Sequence, residues 1–433
     1  VAGLIEVISE KMNKKSLLAV CSVVLLFSFA AVPANMLRVN YEYQNRNGNF
    51  FPYDYAYNLL QSLDKDAILI TNGDNDTFPL WCIQAAYGVR TDVRIINLSL
   101  AQTDWYNLQL KNERPYGALT VPMTLTDAQL KKLQPVQWDE KKSVTYEVPI
   151  TAYPDSMRNT PGLATKIVTT IPATIRQQSG TQVVTALKAN DLLLMDIIKA
   201  NKWERPIYFS VTVSDENYVG LGSYLVTEGM GQRLVPYNPA NFDGQDINVE
   251  VMNECLFNSP EVPSKTPLYG FRFKGLNDKK LFFNEDQTRM AQTYRTVFMK
   301  LAFFYSNDSS KFAEAEKVLD RMETVIPRDV ISMDYRIEYD VAMLYSKIGN
   351  QQKFKELSDN VMLRAEEEIK TNPSNVQSYY NPYRILLDIY EARAEYQKAL
   401  DLLNRLSAMS PNDPSIMQKI ESIKQKMSNP SGN

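Results

Sequence analysis

AILITNGDNDTFPLWCIQAAYGVRTDVRIINLSL, residues 67–100, is the stretch on which the fold turns. AILIT (67–71) is a short apolar run with β-branched members, bounded by Asp66 and Asn72, the pattern of a buried strand. NGDNDT (72–77) is turn chemistry throughout. FPLWCIQAAYG (78–88) has helical spacing and stops at Gly88, a natural residue just past a helix end. VRIINLSL (93–100) is a second apolar run. Strand, loop, helix and strand follow one another, and both strands are apolar enough to be covered on two faces. That is the signature of a βαβ unit in a parallel sheet.

The pattern extends outward on both sides. PYDYAYNLLQSL (52–63) reads as an amphipathic helix with Tyr55, Leu59 and Leu60 at helical spacing. DLLLMDIIKANKW (191–203) followed by RPIYFSVTV (205–213) repeats the helix-then-strand step, and 224–237 reads as a hairpin or edge pair. Between them, 115–185 is rich in Pro and Thr, with SVTYEVPI (143–150) its one candidate strand. The expectation is an α/β domain over 39–285, parallel-sheet and Rossmann-like.

Upstream, Ser16 to Leu37 run without a charge, and as a helix they span about 33 Å, enough for a bilayer core. Lys11, Lys14 and Lys15 precede this run and Arg38 follows it. The positive-inside rule then predicts a cytoplasmic tail and transmembrane helix over 1–38, with the remainder outside the cytoplasm. A signal peptide starting at Met12 is the alternative, and it places the bulk on the same side. Against it stands the prefix VAGLIEVISEK (1–11), which no signal peptide needs and which looks like the tail of a preceding segment.

From Gln287 on, glycine nearly vanishes and helix pairs take over. In the clearest unit Tyr383, Leu386, Leu387 and Tyr390 take the large positions of one helix. Ala399, Leu403 and Leu406 take those of the next, and Pro411 closes the unit. An earlier unit runs through Ala315, Leu319 and Pro327, and a middle one through Tyr345 and Gly349 to Pro373. The closing prolines are unequally spaced, so the expectation over 286–433 is an irregular TPR-like array whose capping helix is 413–427. A plain helical bundle is the competing reading.

Composition closes several routes. The chain has 433 residues, a net charge of −3 and no histidine. Its basic residues are scattered, which argues against nucleic acid as a partner. Without histidine there is no His-dependent triad, Cys-His pair or His-ligated zinc site. Chemistry is left to carboxylates, Lys, Tyr, Ser/Thr or an oxygen-ligated metal. Cys21 lies in the apolar segment, so Cys82 and Cys255 form either a disulfide or two free thiols.

The loop Asn72, Gly73, Asp74, Asn75, Asp76, Thr77 is the best candidate site, because open α/β sheets place ligands at the carboxyl ends of their strands. Asp74 and Asp76 are candidate ligands of one divalent cation (calcium, magnesium or manganese), with Asn72, Asn75 and Thr77 as further oxygen donors. The plainer reading is that these Asp and Asn side chains cap the following helix. Trp105, Asp215, Glu216, Glu228 and Arg233 flank predicted strands and are candidates for lining a cleft. Trp81 and Trp203 are more simply core.

Residues 54–100, together with NKWERPIYFSVTV (201–213) and YLVTEGMGQRLVP (224–236), resemble a bacterial family of large multi-spanning membrane proteins of long-unknown function. The membrane part of that family looks like protein O-mannosyltransferases of the GT-C type, and its exoplasmic region often ends in helical repeats. The resemblance implies that Ser16–Leu37 is the last transmembrane helix. It also implies that the catalytic carboxylate lies in a membrane half outside this chain. The expected role is then periplasmic acceptor recognition or bracing, with the membrane, the missing transmembrane half and a polypeptide or glycan acceptor as partners. Cys82 stands where the family commonly has an aromatic residue. Two other readings remain: an autonomous metal-dependent enzyme acting on a phosphate or sugar-phosphate through Asp74 and Asp76, and a TPR scaffold for a protein partner.

Overall fold

The computed structural model describes residues 13–179, 182–241, 244–376, 378–409 and 413–428. The prefix 1–11 with Lys11, Met12 and the closing Pro411 lie outside the described residues.

Helix α1 (Lys14–Gln44) opens on Asn13, whose side chain accepts from the Ser16 N–H at 3.0 Å. It extends beyond the charge-free run at both ends, and none of its residues is buried. A helix this long, with Leu18, Phe27 and Phe29 facing outward, cannot be a core helix of the fold. Its length and composition fit a membrane anchor or a signal sequence.

The chain then alternates helix and strand: α2 (Phe51–Gln61), β1 (Ile68–Thr71), α3 (Asp74–Tyr87), β2 (Arg94–Asn97), α4 (Asp104–Asn112) and α5 (Asp127–Leu130). Short strands β3 (Val136–Gln137), β4 (Ser143–Glu147), β5 (Lys166–Thr170), β6 (Ile175–Ser179) and β7 (Gln182–Leu187) precede α6 (Ala189–Asn201). Then come β8 (Ile207–Ser210), β9 (Leu225–Glu228), β10 (Gly231–Leu234) and α7 (Val249–Phe257). The main sheet has the order β2-β1-β8-β10-β9. β1 runs parallel to β2 and to β8, with Ile68 opposite both Arg94 and Ile207. The 224–237 hairpin joins at its expected place as an antiparallel edge, so the sheet as a whole is mixed.

Strand periodicity sorts the core. Leu69, Ile95 and Tyr208 face one cluster, whereas Ile68, Ile70, Ile96, Ile207 and Phe209 face another. The second face is covered by Leu193, Leu194 and Ile197 of α6 and by Tyr106 and Leu110 of α4. Both sheet edges are closed. At β9, the Thr227 N–H donates to Asp246 O at 2.7 Å, and the Asn248 N–H donates to Thr227 O at 2.9 Å. At β2, the Tyr106 hydroxyl accepts from the Asn97 N–H at 3.0 Å and donates to Ile95 O at 3.2 Å.

Two local expectations change and one is met. Helix α3 begins at Asp74, not Phe78, with Gly73 as its N-cap and no side-chain capping bond. Asp74 and Asp76 thus sit in the first turn, where free N–H groups and the helix dipole favour carboxylates. SVTYEVPI supplies β4, which pairs antiparallel with β5 in a two-stranded sheet. A three-stranded sheet β3-β7-β6 also forms within a region that read only as Pro- and Thr-rich.

The C-terminal part contains α8 (Glu285–Tyr305), α9 (Phe312–Val325), α10 (Tyr335–Lys347), α11 (Gln351–Thr371), α12 (Pro382–Ala392), α13 (Tyr396–Met409) and α14 (Pro414–Ser428). Within α8–α9 and from α10 onward, each helix packs on its successor. Asn284 and Gln287 form a capping box at the start of α8, and Asn350 and Asn381 cap α11 and α12. Arg295 is buried and holds the turn after α9, its Nη2 donating to Ile331 O at 2.5 Å and Ile326 O at 3.2 Å. Ala291, Tyr294 and Phe298 of α8 belong to the same core as Tyr55 and Leu59 of α2, Met252 and Cys255 of α7, and Phe271. That core continues through Leu319 and Val341 to Leu357. A further cluster, including Val361, Leu386, Leu403 and Ile423, closes the far end.

Candidate functional site

The three parallel strands end in polar residues, Thr71, Asn97 and Ser210, and the first turn of α3 meets all three. The Thr77 hydroxyl lies 2.7 Å from that of Thr71, accepts from Asn97 Nδ2 at 2.9 Å and donates to Gly73 O at 2.8 Å. Asp76 is buried and accepts from the Ser210 hydroxyl at 3.3 Å and from the Thr212 hydroxyl. Burial raises its pKa above the ordinary carboxylate value, against the hydrogen bonds from Thr212 and Ser210 that favour the ionised form. The Tyr55 hydroxyl, fully buried, has no partner in good hydrogen-bond geometry, yet it lies close enough to feel the Asp76 charge.

Asp74, Asn75 and Asn72 are exposed. Two residues apart on a helix point to nearly opposite sides, so Asp76 enters the sheet end while Asp74 faces solvent. Among the described residues no group of three or more Cys, Asp or Glu side chains is placed to hold a metal ion.

Glu228 and Arg233 do meet, across the β9–β10 hairpin. Arg233 Nη1 lies 2.8 Å from Asp64 Oδ2 and 3.6 Å from Glu228 Oε2. Glu228 is buried and accepts from the Tyr208 hydroxyl at 2.6 Å and from Asn248 Nδ2 at 2.9 Å. Burial, reinforced by the Glu228 charge, pushes Tyr208 far above the usual phenol range. Both residues line a cavity of about 610 Å³, with Arg158, Trp203 and Tyr153 on its other walls. Asp215, Glu216 and Trp105 are exposed and lie outside this cavity. Trp203 donates from Nε1 to Glu147 O at 2.9 Å.

The outer side of α3 carries a feature that sequence reasoning missed. Arg94, the first residue of β2, is only 4% exposed. Its Nη2 donates to Gln109 O at 2.9 Å, its Nε finds no partner, and among the described residues it makes no ion pair. Burial lowers its pKa, partly offset by Tyr106 and Glu113. Arg94 lines a cavity of about 450 Å³ with Trp81, Tyr106, Tyr116 and Phe78. A second cavity of about 590 Å³, lined by Phe50, Tyr53, Tyr87 and Pro263, shares Phe78 and Cys82 with the first. The signal in the sequence was a lone arginine inside the apolar run VRIINL. Cys82 is exposed, Cys255 is buried, and both are free thiols.

A cavity of about 530 Å³ lies between the loop at 244–247, α8 and α10, lined by Lys300, Phe303, Asp340 and Lys347. Lys300 donates to the Thr227 hydroxyl at 2.9 Å, and burial lowers its pKa. Asp340 accepts from Tyr380 at 2.8 Å, and burial raises its pKa.

Comparison with known proteins bears on this part of the chain. Residues 52–150 and 155–251 match the family described as TMEM260-associated domain 2. A 74-residue stretch is 26% identical to the protein named Protein O-mannosyl-transferase tmem260 from Dictyostelium discoideum. It covers 17% of this chain and 9% of that relative, so the chain matches under a tenth of the relative's length. No solved structure matches the chain. Taken together, these similarities support a mannosyltransferase-like family.

Proposed function

We propose that this chain is the folded accessory part of a protein O-mannosyl-transferase-like membrane glycosyltransferase, held at the membrane by α1 and recognising the acceptor. The observation that carries this reading is the match of 52–150 and 155–251 to TMEM260-associated domain 2, which spans the whole main sheet and the Arg94 cavity along α3. The unburied apolar helix α1 supports attachment to a bilayer. In this reading 1–38 is tail and anchor, 39–285 the α/β domain with Rossmann-like topology, and 286–433 a TPR-like array. Since α8 shares its core with α2, the array serves as a brace. Sugar transfer belongs to a multi-spanning membrane part.

Two experiments test it. The purified full chain, given a lipid-linked mannosyl donor and a polypeptide acceptor, should bind the acceptor and transfer no sugar. Mannosylation of the acceptor by this chain alone overturns the accessory role. The bulk of the chain is placed on the exoplasmic side, and Cys82 is its natural reporter, because Cys255 is buried and Cys21 lies in α1. A membrane-impermeant maleimide should label Cys82 in intact cells. Labelling only after permeabilisation reverses the sidedness.

A further inference from the structure

The outer face of α3 combines three features that ordinary surfaces do not. First, Arg94 is a buried guanidinium with an unpartnered Nε and no carboxylate in ion-pair range among the described residues. Removing a charge from water is costly, Tyr106 and Glu113 offset that cost only in part, and a carboxylate bound from outside would supply the missing ion pair. Second, the surroundings are apolar and aromatic. Trp81 and Tyr106 form the walls, and Phe78 and Tyr116 stand at the rim, 51% and 60% exposed. Large exposed aromatics gathered around a concavity mark recognition surfaces. Third, the cavity is not solitary. Phe78 and Cys82 form a ridge shared with the neighbouring 590 Å³ cavity, whose rim adds the exposed Tyr87.

We infer that this double cavity binds an extended polypeptide segment, seating a carboxylate on Arg94 in the first cavity and an apolar side chain beyond the Phe78–Cys82 ridge in the second. A guanidinium whose Nη2 donates to Gln109 O and whose Nε is closed off keeps Nη1 for an anion, a donor through which arginine recognises carboxylates. The largely apolar, aromatic lining fits the flank of a peptide better than the hydroxyl-covered faces of a sugar. Two adjoining cavities suit side chains projecting from one backbone, not a single compact ligand. The carboxylate comes either from an Asp or Glu side chain or from a free C-terminus. The inference rests on the acceptor-recognition reading and gives it a substrate feature: an acidic residue close to an aromatic or aliphatic one.

The test uses the full chain in detergent or nanodiscs. Three decapeptide libraries share one fixed phenylalanine: two are C-terminally amidated, with a fixed aspartate or asparagine two positions away, and one ends in a free C-terminal phenylalanine. Wild-type chain should retain the aspartate or the C-terminal library about tenfold over the asparagine library, the size expected of a charge-assisted contact. Whichever of the two is retained identifies the source of the carboxylate. Phe78→Ala and Tyr116→Ala, at exposed positions, should weaken retention, and a bulky maleimide on Cys82 should block it. Arg94→Gln should bind the acidic and neutral libraries equally, with near-unchanged circular dichroism confirming the fold. Equal retention of all three libraries by wild type overturns the inference. So does acid preference that survives Arg94→Gln, or preferential binding of an anionic hexose such as glucuronate. A chain that discriminates peptides but also transfers sugar sinks only the accessory role. One that transfers nothing and does not discriminate sinks only this inference.

Discussion

Single side chains decide how the ends of the sheet are held. Arg90 is fully buried at a left-handed backbone position, φ 46. It donates to Leu60 O, Leu63 O and Asp64 O at 2.6, 2.8 and 2.8 Å, and it pairs with Asp92 at 2.8 Å. Arg90→Met strands those carbonyls and one carboxylate, so we expect a loss of about 3–5 kcal/mol in urea unfolding; a loss below about 1 kcal/mol contradicts the role. Asp76 has a pH signature. Because its folded pKa is raised by burial, the folded state holds the proton more tightly. The associated stability is present below the unfolded value of about 3.9 and is lost as pH rises through the folded value. Asp76→Asn keeps an acceptor for Thr212 and Ser210 and removes the titration. Variant and wild type should therefore differ more in the variant's favour at pH 7 than at pH 3, read from urea midpoints at both. None of this was legible in the sequence. The loop 72–77 is as compatible with a cation as with a helix start, and only the hydroxyls of Ser210 and Thr212, more than a hundred residues away, separate the two Asp roles.

At the level of elements, legibility tracks burial. Strands β1, β2 and β8 are buried throughout, and such strands read as near-continuous apolar runs, here interrupted only by Arg94 and the polar ends Thr71, Asn97 and Ser210, so AILIT, VRIINLSL and RPIYFSVTV announced them. β4 alternates exposed and buried and lies in a small two-stranded sheet, so its pattern was weak. β3 has two residues, β6 is largely polar and β7 exposes Val183 and Val184, and their partners are set by tertiary contacts that no local window carries. The helix pairs were visible because Ala315, Leu319, Ala399 and Leu403 recur at core spacing. The β9–β10 turn supplies an element-scale prediction. Gly229 has φ 58, and a Cβ there would lie 2.4 Å from the Ser62 hydroxyl oxygen. That hydroxyl accepts from the Met230 N–H at 2.9 Å and donates to Asn58 O at 2.8 Å, so it is not free to move. Gly229→Ala should cost more than about 1 kcal/mol, read as a lowered thermal midpoint; an unchanged midpoint argues that α2 yields.

Across the whole molecule, a single core runs from α2 through Phe271 and α8 to α11. A fragment covering 39–285 would leave Phe51, Tyr55 and Phe271 without Tyr294 and Phe298. We expect it to be insoluble or molten when made alone, whereas in a fragment covering 45–428 α2 and α8–α11, which share one core, should unfold in the same transition. Separate transitions for α2 and α8 in the longer fragment contradict this. The closed sheet borders have a consequence for handling. With the Tyr106 hydroxyl seated on β2 and residues 246–248 laid along β9, neither border offers a free row of donors and acceptors to another copy. Concentrated stocks stripped of lipid should therefore clump through α1, and removing that helix, not adding charge to the borders, is the remedy.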